Sequence, residues 1–226
     1  MNIRYLLILV CTLFFNTIRA QMEYGIDLLG GAGLVDIEGA NTPQNFKERP
    51  GLSGSAGFSV SYFSKKHIGL YASTGLNISY ISANFDFEDS DFTFLADAPF
   101  VASNFRSTTS NIVFSVPMVV GYRSNRFSLE TGLETFYNSY QGSRNRWDET
   151  FQDLEIKVSE RTENELRNDF LLSTSTQFAY QLSSKIGVRL KINVGLSDYF
   201  KLERPTLNPD YKSTLHSAFL GLRYYL

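Results

Sequence analysis

The sequence predicts an all-β fold: an eight-stranded antiparallel up-and-down transmembrane β-barrel, with short periplasmic turns and long extracellular loops. Three observations predict it. Apolar and polar residues alternate with period two through eight segments, the pattern of strands with two unlike faces. The polar member of the alternation is small and neutral. The connections alternate long and short along the chain.

The segments follow in order. "MNIRYLLILVCTLFFNTIRAQ" carries Arg4, an apolar run from Tyr5 to Phe15, and small Ala20 before Gln21. This pattern is a secretory signal peptide over 1–20, leaving one domain over 21–226. The run is too short to cross a bilayer as a helix. The only cysteine, Cys11, lies inside it, so the exported chain is expected to hold no disulfide and no Cys-ligated metal. Strands are then expected at about 23–35, 51–63, 68–83, 109–122, 127–140, 169–182, 186–200 and 213–226. The fourth shows the alternation plainly, with Ile112, Phe114, Val116, Met118, Val120 and Tyr122 on one face. Short turns fall at 64–67, 123–126 and 183–185, and long connections at 36–49, 84–107, 141–168 and 201–211. An even-stranded meander then puts every tight turn and both termini at one end. Closure pairs the first strand with the eighth, because a backbone in lipid must satisfy its polar groups internally.

The polar series decides which way the barrel faces. A soluble lipocalin-like barrel points charged residues at water. Here the series is Ser53, Ser55, Gly57, Ser59, Ser61, then Ser73, Gly75, Asn77, Ser79, then Ser173, Ser175, Gln177, Ala179. Such side chains suit the narrow interior of eight strands, with the apolar series toward lipid. Aromatics gather beside the short turns: Tyr62, Phe63, Tyr122, Phe127, Tyr180, Tyr224 and Tyr225. They are expected to form a periplasmic girdle. The final "AFLGLRYYL" is similar to the C-terminal strand of outer-membrane proteins, though Leu226 stands where an aromatic is usual.

The stretch "NIVFSVPMVVGY", followed by a turn and "FSLETGL", resembles the PorT-like outer-membrane β-barrel family. The resemblance is best over 111–133 and loose elsewhere. It implies a monomeric barrel in the outer membrane of a Bacteroidota-type bacterium. It does not carry over the secretion role of the member that names the family. Pro117 cannot donate to a ladder, so a bulge or bent wall is expected there.

Parity places Glu130, Glu134, Arg189, Lys191 and Arg223 in the lumen. Glu130, Arg189 and Arg223 lie about four residues from the short-turn end, level enough for one ion-pair layer, which buried charge requires. Their expected role is structural, against a gate or proton path. An enzyme is the runner-up class. His216, near the long-loop end, shares a face with Asp198 and has Thr214 nearby, but no serine completes a triad. His67 reads as a turn residue. No HExxH, GxSxG or Walker motif is present.

The loop "NFDFEDSDFTFLADAPF" (84–100) mixes Asp86, Glu88, Asp89, Asp91 and Asp97 with phenylalanines. Its spacing is near that of a Ca²⁺ loop, but Phe92 stands where the glycine belongs. Phe85 and Phe87 suggest that the third strand continues past the membrane. The segment 144–168 is dense in charge and reads as a hairpin extension or a short helix. The short turns carry Lys65, Lys66, Arg123, Arg126 and Lys185 and no acid, suited to anionic headgroups or to plain solvation.

The 226 residues carry 19% charge, a net charge of −2 and no basic stripe, so no nucleic-acid partner is expected. No catalytic residue, cofactor or metal is expected. The sequence reading is a non-enzymatic outer-membrane scaffold or interaction module, with a role accessory to secretion or envelope assembly as its finer form. Its expected partners are outer-membrane lipid and envelope or secretion-system proteins. The alternatives are an outer-membrane hydrolase with a rim site near His216, and a soluble lipid-binding barrel.

Overall fold

A computed structural model of the chain describes residues 21–38, 46–63, 68–87, 101–151, 154–163, 168–199 and 212–226. Residues 1–20, where a signal peptide is expected, the turn 64–67 with His67, Lys65 and Lys66, the acidic stretch 88–100 and the connection 201–211 lie outside the described residues.

Period-two alternation becomes strand along nearly the whole described chain. The elements are β1 (Gln21–Glu38), β2 (Phe46–Phe63), β3 (Gly69–Phe87), β4 (Val101–Ser124), β5 (Phe127–Phe151), β6 (Leu154–Glu163), β7 (Phe170–Gln181), β8 (Ile186–Gly195) and β9 (Lys212–Tyr225). Eight of them form a ring. β1 to β5 pair in sequence, β5 then pairs β7, and β7 to β9 continue in order. The first and last strands close it, from Gly25 opposite Tyr225 to Glu38 opposite Lys212. β6 stands outside the ring and pairs the far half of β5, from Gly142–Glu163 to Phe151–Leu154.

The faces are inverted relative to a water-soluble protein. Leu28 is 69% exposed and Leu70 70%, while Glu134 is 0% and Arg223 1% exposed. In water this surface would be a continuous apolar patch around the whole barrel, far beyond what a soluble monomer shows. In hydrocarbon it is the surface a spanning barrel requires. From Tyr122 to Ile112 the outward apolar band of β4 covers about 33 Å of strand. At the usual barrel tilt that is about 25 Å along the membrane normal, the height of such a band.

Three expectations change. Pro117 makes no bulge: β4 keeps one register against β3 from Met118 to Ser115, with the ladder interrupted at the proline. A missing N–H costs a rung there without shifting the strand. The register shifts lie elsewhere, between Pro50 and Gly54 and between Ile112 and Val113. β8 ends at Gly195 instead of running to 200. The chain then turns Tyr199 inward, with its N–H donating to the Ser213 carbonyl at 2.7 Å. β5 and β6 pair as a hairpin extension, one of the two forms expected for the charged segment, and β3 runs on to Phe87 as expected. Finally, β4 begins at Val101, so the wall from β2 to β6 rises well above β7 and β8.

Candidate functional site

The lumen is filled in tiers. At the short-turn mouth, Arg123 meets Glu23 at 2.7 Å and lies over the Phe63 ring, 4.6 Å from its centroid. Phe63 stacks on Tyr71 at 4.6 Å, and Tyr225 closes the group. This corrects two expectations. Phe63 and Tyr225 are 0% and 6% exposed and face the lumen, so they leave the girdle. Each is the odd-parity neighbour of an outward tyrosine, Tyr62 or Tyr224. Arg123 likewise leaves the solvated turn for a buried pair. Tyr62, Tyr122, Phe127, Tyr180 and Tyr224 stay outward at that level, and Arg126 and Lys185 are exposed.

One tier deeper, four strands bring four charges together. Arg189 on β8 bonds Asp27 on β1, and reaches Glu130 on β5 at 2.9 Å. Arg223 on β9 donates to Asp27 through Nε at 2.9 Å and Nη2 at 3.1 Å, and its Nη1 lies 3.5 Å from Glu130. Tyr71 donates to Glu130 at 2.7 Å, and Arg223 also donates to the Ser59 hydroxyl. Two guanidinium groups face two carboxylates, so the tier is neutral. Buried charge is tolerable only in such a paired, hydrogen-bonded state. Gly121 makes room, since a Cβ there would stand 2.7 Å from the Tyr71 ring.

The next tier is Lys191 with Glu134 at 2.7 Å. Ser115 and Asn77 both donate to the same Glu134 oxygen, at 2.6 and 3.2 Å. Above it the filling turns apolar: Leu29, Val35, Ile81, Val113, Phe136, Leu171, Leu215 and Phe219 form one buried cluster. Tyr199 caps it at 0% exposure, with its hydroxyl and the Asn111 amide bonded at 2.7 Å.

All five sequence-derived lumen charges therefore meet partners, three in one tier and two in the next. Asp27, Glu23 and Tyr71 were missed. Parity alone marks Asp27, which sits between outward Ile26 and Leu28 as Glu130 sits between Leu129 and Thr131. Tyr71, on the lumen parity beside outward Leu70, contributes both its hydroxyl to Glu130 and its ring to Phe63.

At the long-loop rim, His216 does not pair with Asp198. Its Nε2 accepts from or donates to Thr214 at 2.8 Å and lies 3.9 Å from Asp36. Thr214 and Asp36 thus address the same ring nitrogen, whereas a triad needs the hydroxyl and the acid on opposite nitrogens. Nearby, Glu48 accepts from the Ile37 N–H at 2.7 Å. Burial, with Asp36 adding to it, pushes the Glu48 carboxyl above its ordinary range. Asp86, one of the acids considered for a Ca²⁺ loop, is bound to Arg49 and Arg106, each at 2.9 Å.

No protein-family model and no curated protein matches the chain. Among solved structures it is similar to the attachment invasion locus protein Ail of Yersinia pestis, at 10% identity and a TM-score of 0.38, covering 91% of this chain and 99% of that one. It is similar to Neisserial surface protein A at 10% identity and 0.36, covering 89% and 96%. It is similar to the outer membrane protein OprG from Pseudomonas aeruginosa at 13% identity and 0.36, covering 90% and 96%. The eight-stranded fold itself rests on this chain's own closed pairing register.

Proposed function

We propose that the chain is an integral outer-membrane β-barrel whose lumen is a structural fastener, and that it works as a non-enzymatic scaffold or interaction module. The observation that carries this is the lumen, closed tier upon tier by neutral ion pairs and then by an apolar plug. A narrow barrel so filled leaves its outer surfaces and loops as the places to act. The expected signal peptide and the apolar outer band support residence in the bacterial outer membrane. The PorT-like resemblance over 111–133 supports the finer reading, an accessory of secretion or envelope assembly in a monomeric barrel. The tall wall of β2 to β6 supports protein contact at the long-loop end.

Fractionation with a heat-modifiability gel tests the location. The protein is expected in the outer-membrane fraction with a heat-shifted band, and recovery from the soluble periplasm contradicts the reading. Crosslinking and pull-down from native membranes test the partner role. The alternative of a rim hydrolase keeps a direct test, although Thr214 and Asp36 share one ring nitrogen of His216. An esterase and protease activity present in the wild type and lost in His216→Ala would establish it.

A further inference from the structure

The outward apolar band ends where Ile112 on β4 faces Tyr140 on β5. Tyr80, Tyr137 and Phe170 are exposed close to that edge, a second aromatic belt opposite the short-turn girdle. Above it the wall of β2 to β6 continues, and its outward face changes character. Thr108 stands opposite Arg144, and Arg106 opposite Arg146. Arg144 in turn stands opposite Arg161 on β6, and Asp148 opposite Lys157. Lys47 and Arg49 extend the same face on β2, opposite Asp86 and Asn84. Among the described side chains this face carries Arg106, Arg144, Arg146, Lys157 and Arg161 beside Asp86 and Asp148, and the register also sets Glu163 opposite Gly142 and Glu155 opposite Thr150.

The arrangement is costly without a partner. Like charges directly opposite on a sheet repel, and here two such pairs, Arg106–Arg146 and Arg144–Arg161, share one patch. Asp86 offsets Arg106 and Arg49. Among the described residues Arg144 donates to the Ser159 hydroxyl, at 3.3 Å. Among the described residues no carboxylate forms an ion pair with Arg144, Arg146, Lys157 or Arg161. A row of guanidinium forks with open donors suits phosphate oxygens, which they bind bidentately.

The level selects the source of the phosphate. Arg144 is about 13 Å along the strand from Tyr140, or about 10 Å along the normal. A side chain there can bend back to a headgroup layer at the edge of the hydrocarbon. The face points outward from the barrel, toward neighbouring lipids rather than over the lumen mouth.

We propose that the outward arginine face of β4, β5 and β6 binds the phosphate groups of anionic lipid headgroups around the barrel on its long-loop side. This rests on the membrane-spanning reading above. The site ties the protein to the charged surface of one leaflet.

The test uses the full chain, refolded in neutral detergent, and the variant Arg144→Gln/Arg146→Gln/Arg161→Gln. All three side chains are exposed, and a heat-modifiability gel verifies folding. Binding to mixed micelles of phosphatidylcholine with bis-phosphorylated lipid A is expected to weaken about tenfold or more in the variant. It is also expected to weaken with added salt in the wild type. The control Lys185→Gln, at the opposite end, is expected to bind as wild type does. In lipid-A-free detergent, Arg146→Glu is expected to melt higher than wild type while losing the lipid-A-induced rise in melting temperature. Equal lipid A binding by wild type and triple variant overturns the proposal. So does displacement of lipid A by inorganic phosphate at equal phosphate concentration, which would make free phosphate the ligand. Insertion of the wild type into phosphatidylcholine vesicles without lipid A binding sinks this inference alone. Failure to insert at all sinks the membrane reading with it.

Discussion

The lower and upper halves of one lumen are filled by opposite chemistries. Below, Asp27, Glu130, Arg189 and Arg223 cross-link four strands through charge. Above, Phe136, Leu171, Leu215 and Phe219 pack beneath Tyr199 as in an ordinary core. The halves fail differently when cut. Charge removed from the lower half strands its partner in a site that water does not reach, and the stranded ion is expensive. Bulk removed from the upper half leaves a cavity whose cost depends on how far neighbours relax. The lower half therefore fixes which strands meet at which register. The upper half supplies contact without naming partners.

The largest effect expected from breaking this contrast is Arg223→Ala, which leaves Asp27 and Glu130 with one guanidinium between them. A loss of about 3–5 kcal/mol is expected, read as a lower urea midpoint in the refolded barrel. Tyr199→Ala comes next, at about 3–5 kcal/mol for a large aromatic, and less if the connection settles into the space. Tyr199→Phe removes the hydroxyl that bonds the Asn111 amide and is expected to cost about 1 kcal/mol. The pair Lys191 and Glu134 sharpens the contrast. Lys191→Met alone is expected to destabilise, while Lys191→Met with Glu134→Gln recovers most of the loss. Additive costs in that cycle would mean the pair is not coupled.

The smallest effect lies at the rim. Glu48 holds its proton more tightly folded than unfolded. Its contribution is fully present below its unfolded pKa and is lost as pH rises through the raised folded value. The variant Glu48→Gln is expected to flatten that part of the melting-temperature profile, leaving the neutral-pH fold intact.

Much of the lower half was legible in the sequence, because a period of two assigns each residue to lumen or lipid once the barrel's direction is known. Glu130, Glu134, Arg189, Lys191 and Arg223 follow from that alone. The same rule turns Phe63 and Tyr225 inward, and grouping aromatics by level overrode it. The upper half was less legible. Tyr199 keeps the inward parity of β8 beyond its last paired residue, but the bond to Ser213 that seats it over the plug is not written in the alternation. His216 was assigned Asp198 because the two share a face on neighbouring strands, but the β1–β9 register brings Asp36 beside it. The hairpin of β5 and β6 was open between strand and helix, since its charges carry no apolar face to set a period.

The central claim is the direction of the walls: apolar side chains in lipid, lumen side chains in contact with neither lipid nor water. Cys11 is the chain's only cysteine, so single cysteines placed along β4 give clean labelling sites. In vesicle-inserted protein, Val116→Cys and Val120→Cys are expected to react with a membrane-soluble thiol reagent and not with a charged one. Ser115→Cys and Val119→Cys are expected to resist both. Reaction of the outward pair with the charged reagent, or of the inward pair with either, would contradict the account.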